Sequence, residues 1–188
     1  MNTTAPAQIE PYATSPERGT VYLERLLPGP IERVWDYVTD SEKRAKWFAG
    51  GPMELRVGGK ATLNFDHRTI TPEPIPERYQ ACVGLVSHGR ITRCEPPRLL
   101  AFTWWEDSGD QSEITFDLTP QDGKVLLKLT HRRLEDLNEM KSVSGGWHAH
   151  ILALEEVLSG RDVTTFYSTL QELNTYYDER LTAANALK

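Results

Sequence analysis

Five histidines and two cysteines are the side chains here best able to bind a metal, act as a nucleophile or move a proton near neutral pH. His148 and His150 are two residues apart on a helical stretch, about 200° around it, and cannot grip one ion from one face. No HExxH or CxxC accompanies them, so no metal site is expected. His67, His88 and His131 fall in or beside strand-like stretches, where an inward-facing imidazole could serve as acid, base or orienting donor. His131 shares parity with Val125, Leu127 and Leu129 and is the first choice to face inward. His150 reads most simply as a helix-flank residue bonding a neighbouring carbonyl. Cys82 and Cys94, placed on one extended strand, stand roughly 40 Å apart, too far for a disulfide. Two unpaired thiols suit a reducing compartment. No GxSxG, GxGxxG or phosphate loop occurs, which removes the usual signals of nucleophile-elbow hydrolases and nucleotide enzymes.

The element that must position such groups is the stretch VSGGWHAHILALEEVLSG, Val143 to Gly160. Its Trp147, Ile151, Leu154 and Leu158 share one narrow helical sector, so it is expected to lie on a broad apolar surface. Gly145-Gly146 mark its N-terminus, where N–H groups could hold an anion, although no basic motif stands nearby and a capping role is the simpler reading.

Strands supply the surface beneath. Period-two runs Leu100/Phe102/Trp104, Ile114/Phe116/Leu118 and Val125/Leu127/Leu129 are separated by short turns, including Asp107 to Asp110 and Gln121-Asp122-Gly123. Gly58-Gly59 is expected to join a strand Met53–Val57 to Lys60–Asp66 as a hairpin. A first strand spans about Thr20 to Leu27. Two short helices follow it, one with Ile31, Val34, Trp35 and Val38 on a face and one capped at Asp40 or Ser41 carrying Trp47 and Phe48. The proline-rich stretch His67 to Gln80 is too long for a simple turn and reads as a lid-like loop. A last helix, capped at Asp162, carries Phe166, Leu170, Leu173, Tyr177 and Leu181.

With 188 residues, 39% of them hydrophobic, the chain can bury one core without covalent staples. The net charge of −6 and the lack of basic clusters interleaved with aromatics disfavour nucleic acid. No apolar run reaches the ~20 residues of a membrane helix, and the first residues lack a signal-peptide pattern, so a cytoplasmic location is expected. Residues 1–18, with three prolines and no apolar periodicity, read as a mobile arm. Residues 19–160 then form the main domain and 161–188 a helical extension packed on it.

The order of strand, two short helices, meander and long helix resembles the helix-grip fold of the START-like superfamily, also called SRPBCC. Arg25 through Trp35 (RLLPGPIERVW), Thr39-Asp40, Trp47-Phe48, Gly89 through Trp104 (GRITRCEPPRLLAFTW), Leu129-Thr130-His131 and Gly146-Trp147 with Leu154 resemble the activator of heat-shock ATPase homologue branch. The resemblance implies an α+β fold in which a curved antiparallel sheet of six or seven strands grips the long helix. It also implies a cavity between them that holds lipids, sterols, polyketides or other largely apolar molecules. Candidate cavity residues are Phe65, His67, His88, Arg90, Phe102, Trp104, Phe116, His131, Trp147, His150, Ile151 and Leu154.

Three functions follow as expectations. The first is a binding protein for a small apolar or aromatic ligand, with no cofactor. The second is a cyclase- or hydrolase-type enzyme using a cavity histidine. The third is a co-chaperone-like interaction module, for which an exposed apolar patch and a small closed interior are expected. The chain has no room for the additional domain of the eukaryotic chaperone activator, which argues against a chaperone partner. Members of the superfamily often dimerise, so a homodimer is kept open.

Overall fold

The computed structural model describes residues 9–104 and 112–186. One curved antiparallel sheet runs in the order β1-β6-β5-β4-β3-β2. Its strands are β1 Thr20–Pro28, β2 Lys60–Asn64, β3 Val86–Glu95, β4 Leu99–Thr103, β5 Glu113–Gln121 and β6 Lys124–Arg132. The registers Leu23↔Leu129, Phe116↔Leu129 and Leu100↔Phe116 align the apolar rows of four strands on one face. Val21 and Leu23 of β1 are buried and face the core.

Among the described residues four α-helices accompany the sheet: α1 Ile31–Thr39, α2 Ser41–Ala45, α3 Leu137–Leu158 and α4 Phe166–Ala186. α1 buries Ile31, Val34, Trp35 and Val38, the i, i+3, i+4, i+7 set expected of a helix covered on one face. α2 is capped by the Asp40 side chain, which accepts from Lys43 N at 2.9 Å. Arg44 is buried there and donates to Ala49 O at 2.9 Å, Thr39 O at 2.8 Å and Gly50 O at 3.3 Å, and also to Gly51 O. Burial lowers its pKa to about 10, so it remains charged at neutral pH.

Several expectations are corrected. Residues 53–59 form no ladder strand; Met53 makes a single bridge to Ala61, while Leu55 and Val57 are exposed. Of the run Met53–Val57 only Met53 packs against the core, and the sheet has six strands. α3 begins at Leu137, capped by Asp136 accepting from Glu139 N at 2.8 Å, so Gly145 and Gly146 lie inside the helix rather than at its N-terminus. α4 begins at Phe166 rather than near Asp162; Glu73 of the proline-rich loop accepts from Tyr167 N and from the Ser168 hydroxyl, supplying the N-terminal acceptor from a distance.

Within the stretch expected to be a mobile arm, residues 1–8 lie outside the described residues, and the remainder is tied down. Thr14 pairs with Tyr22, Ala13 N donates to Tyr177 Oη at 2.6 Å, and Tyr12 stacks on Tyr176 at 4.1 Å. His148 anchors the same corner. Arg25 can only donate, so His148 Nε2 accepts from it at 3.0 Å and Nδ1–H donates to Tyr177 Oη at 2.9 Å. The turn expected at Asp107 to Asp110 lies outside the described residues.

Candidate functional site

The C-terminal half of α3 presses Ile151, Leu154 and Leu158 flat on the sheet, and all three are buried. Beside its N-terminal half lie the loop from His67 to Leu85 and the first turns of α4. There a pocket of about 580 Å³ opens. Its buried walls are Phe48, His131, Trp147, His150 and Leu170; Phe65, His67, Tyr79, Cys82, Trp104, Val143 and Asn174 are half-buried around them; Leu85, Asn138 and Ser142 stand exposed at the mouth.

Aromatic rings make most of the wall. Phe48 sits 4.8 Å from Trp147 and stacks at 5.9 Å on Trp104, and Phe65 meets both Phe48 and Trp104 edge-on at 5.6 and 5.7 Å. Such offset and edge contacts hold the rings rigidly and leave apolar faces towards the void.

The polar groups are fixed by donor and acceptor arithmetic. The Trp147 indole N–H can only donate, and it meets His131 Nδ1 at 3.1 Å. His131 therefore carries its proton on Nε2 and donates to Ser112 Oγ at 3.0 Å, so both of its nitrogens are engaged. Burial pulls its pKa down to about 3 and keeps it neutral.

His150 Nδ1 lies 2.7 Å from the carbonyl oxygen of Trp47, which can only accept, so Nδ1 carries the proton. Burial, with a smaller contribution from nearby His67, lowers the His150 pKa to about 3, against the opposing effect of the Trp47 carbonyl. His67 Nδ1 shares a hydrogen with Tyr167 Oη at 3.0 Å, and burial lowers its pKa too, against the pull of Asp66. Asn174 donates to Tyr79 Oη at 2.9 Å, and Tyr79 stacks on Tyr167 at 5.5 Å. The proline-rich loop is thereby pinned to α4 as one rim of the pocket.

Of the twelve candidate residues, Phe65, His67, Trp104, His131, Trp147 and His150 line the pocket. Phe102, Phe116, Ile151 and Leu154 are solid core instead, packed where helix and sheet touch. His88 and Arg90 are exposed on β3, whose inward row is Ser87, Gly89 and Ile91. A Cβ at Gly89 would collide with Thr103 O, so small residues there bring two strands together and turn the larger side chains outward. His67 lies beside β2, in a short 3₁₀ turn at the start of the proline-rich loop, and reaches the pocket through the fold of that loop. Eleven lining residues were missed, among them Phe48, Tyr79, Leu170 and Asn174. Phe48 and Leu170 carried an apolar signal in the sequence, whereas Tyr79 and Asn174 depend on the loop meeting α4.

Among the described residues no group of three or more His, Cys, Asp or Glu is placed to hold a metal ion, and no helix is long and apolar enough to cross a membrane. Cys82 and Cys94 are both free thiols.

A six-stranded antiparallel sheet gripping a long C-terminal helix, with two short helices after its first strand, defines a helix-grip protein of the START-like type. Residues 28–159 match the family described as "Activator of Hsp90 ATPase homolog 1-like protein", and the chain belongs to that family. It is similar to a Bordetella parapertussis protein of known solution structure, with 40% identity, a TM-score of 0.76, and 94% of this chain and 95% of that one covered. CalU16 from Micromonospora echinospora shares the fold at 23% identity and a TM-score of 0.64, covering 86% of this chain and 88% of its own. The Aha1 dimer from Colwellia psychrerythraea does so at 15% identity and a TM-score of 0.57, covering 74% of this chain and 95% of its own. No curated protein matches the sequence.

Proposed function

We propose that this protein binds a small, largely apolar molecule in the pocket between the N-terminal half of α3, the sheet and the proline-rich loop. The observation that carries the reading is a void of about 580 Å³ walled by Phe48, Phe65, Trp104 and Trp147, with neutral imidazoles as its buried polar groups. Pockets of roughly 300–1,000 Å³ with aromatic walls and a few placed polar atoms suit small-molecule ligands. Apolar contact supplies most of the affinity. An open interior of this size weighs against a pure interaction module. Catalysis by a pocket histidine is also disfavoured, because an activated base is held by a third group, and no carboxylate bonds His67, His131 or His150 among the described residues.

Gly146 offers a clean test. It lines the pocket, and a Cβ there meets nothing within 4 Å. Gly146→Leu projects a branched apolar side chain into the void from a rigid helix, its Cβ placed in open space. Native mass spectrometry of the purified protein, with and without added aromatic and lipid probes, is expected to show a bound small molecule in the wild type and none in Gly146→Leu. Equal occupancy in both proteins, or none in the wild type across the probe set, contradicts the reading.

A further inference from the structure

Among the described residues, the side chains of the pocket's buried wall leave one polar atom without a hydrogen-bond partner. Of its five buried residues, Phe48 and Leu170 are apolar, Trp147 spends its N–H on His131, and His131 spends both nitrogens on Trp147 and Ser112. His150 spends Nδ1–H on the Trp47 carbonyl. Its Nε2, the other ring nitrogen, has no protein partner among the described residues, on a side chain that lines the pocket. It is an acceptor lone pair on an otherwise satisfied apolar wall.

Charge narrows the ligand further. Among the described residues that line the pocket there is no Lys or Arg, and Glu139 is the one carboxylate, near the mouth. An anion brought to the buried wall would lose its hydration and face a lone pair rather than a cation. Holding a carboxylate there would require protonating an imidazole that burial keeps neutral. A hydroxyl or N–H donor satisfies the same atom at no such cost.

Resting on the pocket's being a ligand site, we infer that His150 Nε2 is its specificity determinant, and that the ligand is an uncharged aromatic or alicyclic molecule presenting one hydrogen-bond donor to it. Carboxylate-bearing ligands such as fatty-acid anions are rejected. His67, whose ring centroid is 5.4 Å from that of His150, packs edge-on against the imidazole and limits its movement.

The test compares 2-naphthol, naphthalene and 2-naphthoate by equilibrium dialysis at pH 7.5, three probes of one shape that carry a donor, no polar group and an anion. Two substitutions separate the ring nitrogens. His150→Asn keeps an amide N–H near the Nδ1 position, able to bond Trp47 O, and deletes the Nε2 acceptor. His150→Gln places its amide near the Nε2 position and restores an acceptor. Any void the shorter side chain leaves affects both neutral probes alike, so the readout is the naphthol-to-naphthalene affinity ratio. That ratio is expected to fall about ten-fold in His150→Asn, the factor one net hydrogen bond supplies. It is expected to recover in His150→Gln, with 2-naphthoate the weakest probe in the wild type. In the wild type, ¹⁵N NMR provides a reading independent of variant folding: the His150 Nε2 signal is expected to move with 2-naphthol and to stay with naphthalene. An unchanged ratio in His150→Asn, an unmoved Nε2 signal, or 2-naphthoate binding as tightly as 2-naphthol overturns the inference while leaving the pocket as a ligand site. Failure of all three probes to bind overturns both.

Discussion

Mild acid is expected to unfold this protein, and the reason lies in three buried imidazoles. His131, His148 and His150 are 1%, 4% and 8% exposed. Burial pulls their pKa values down to about 3, 4 and 3, with Arg25 adding to the effect at His148 and His67 adding to it at His150. In the unfolded chain a histidine titrates near 6.5. Between that value and the folded pKa the unfolded state binds the extra proton, so stability is complete above about pH 6.5 and is lost as the pH falls. At pH 5 each group costs about 2 kcal/mol, and the three together about 6 kcal/mol, against a typical total of about 5–15 kcal/mol. Once below pH 6 the slope approaches 4 kcal/mol per pH unit. Urea unfolding followed by tryptophan fluorescence at pH 7.5, 6.5, 5.5 and 5.0 measures it directly. Replacing His148 with Gln is expected to flatten the slope by about a third, since one of the three protons is removed. Stability constant within about 1 kcal/mol across that range, or folded-state NMR titrations of these imidazoles near 6.5, would refute the reasoning.

Four further outcomes follow from the packing. Gly146→Ala is expected to raise stability by about 0.5–1 kcal/mol, as a helical glycine replaced in open space, whereas Gly145→Ala drives its Cβ into Asn174 Oδ1 and lowers the melting temperature. Arg44→Met strands several buried carbonyls at once and is expected to cost about 3–5 kcal/mol by chemical denaturation, with Arg44→Lys a poor rescue because an ammonium cannot reproduce the guanidinium fork. Trp147→Ala removes both a pocket wall and the donor that orients His131, and should cost about 3–5 kcal/mol by the same assay. Glu73→Ala uncaps α4, so amide exchange at Tyr167 and Ser168 is expected to quicken for a loss of about 1 kcal/mol.

What could be read from the chain divides by the range of the contacts involved. Trp147, Ile151, Leu154 and Leu158 recur at helical spacing because one helix face is buried, so their common direction was legible. Which of them meets a void and which meets the sheet was not, since that depends on where α4 and the proline-rich loop settle. The strand rows through Phe116 and Leu129 were legible by alternation for the same local reason. β3 defeated that reading: its buried row is Ser87, Gly89 and Ile91, smaller than the exposed His88 and Arg90. Size pointed outward where close strand approach demanded small residues within. His67 reached the pocket for a reason no periodicity carries, a hydrogen bond to Tyr167 a hundred residues away. His131 was rightly placed inward by parity. That both of its nitrogens are taken up, by Trp147 and Ser112, required seeing its partners.

The central claim is that the space beside Trp147 receives a ligand. Two-dimensional ¹H–¹⁵N spectra of the tryptophan indoles, recorded while 2-naphthol is added, read that space directly. The Trp147 and Trp104 signals are expected to shift together and saturate, while Trp35, packed away from the pocket on α1, stays in place. Saturable binding that moves neither Trp147 nor Trp104 would contradict the account.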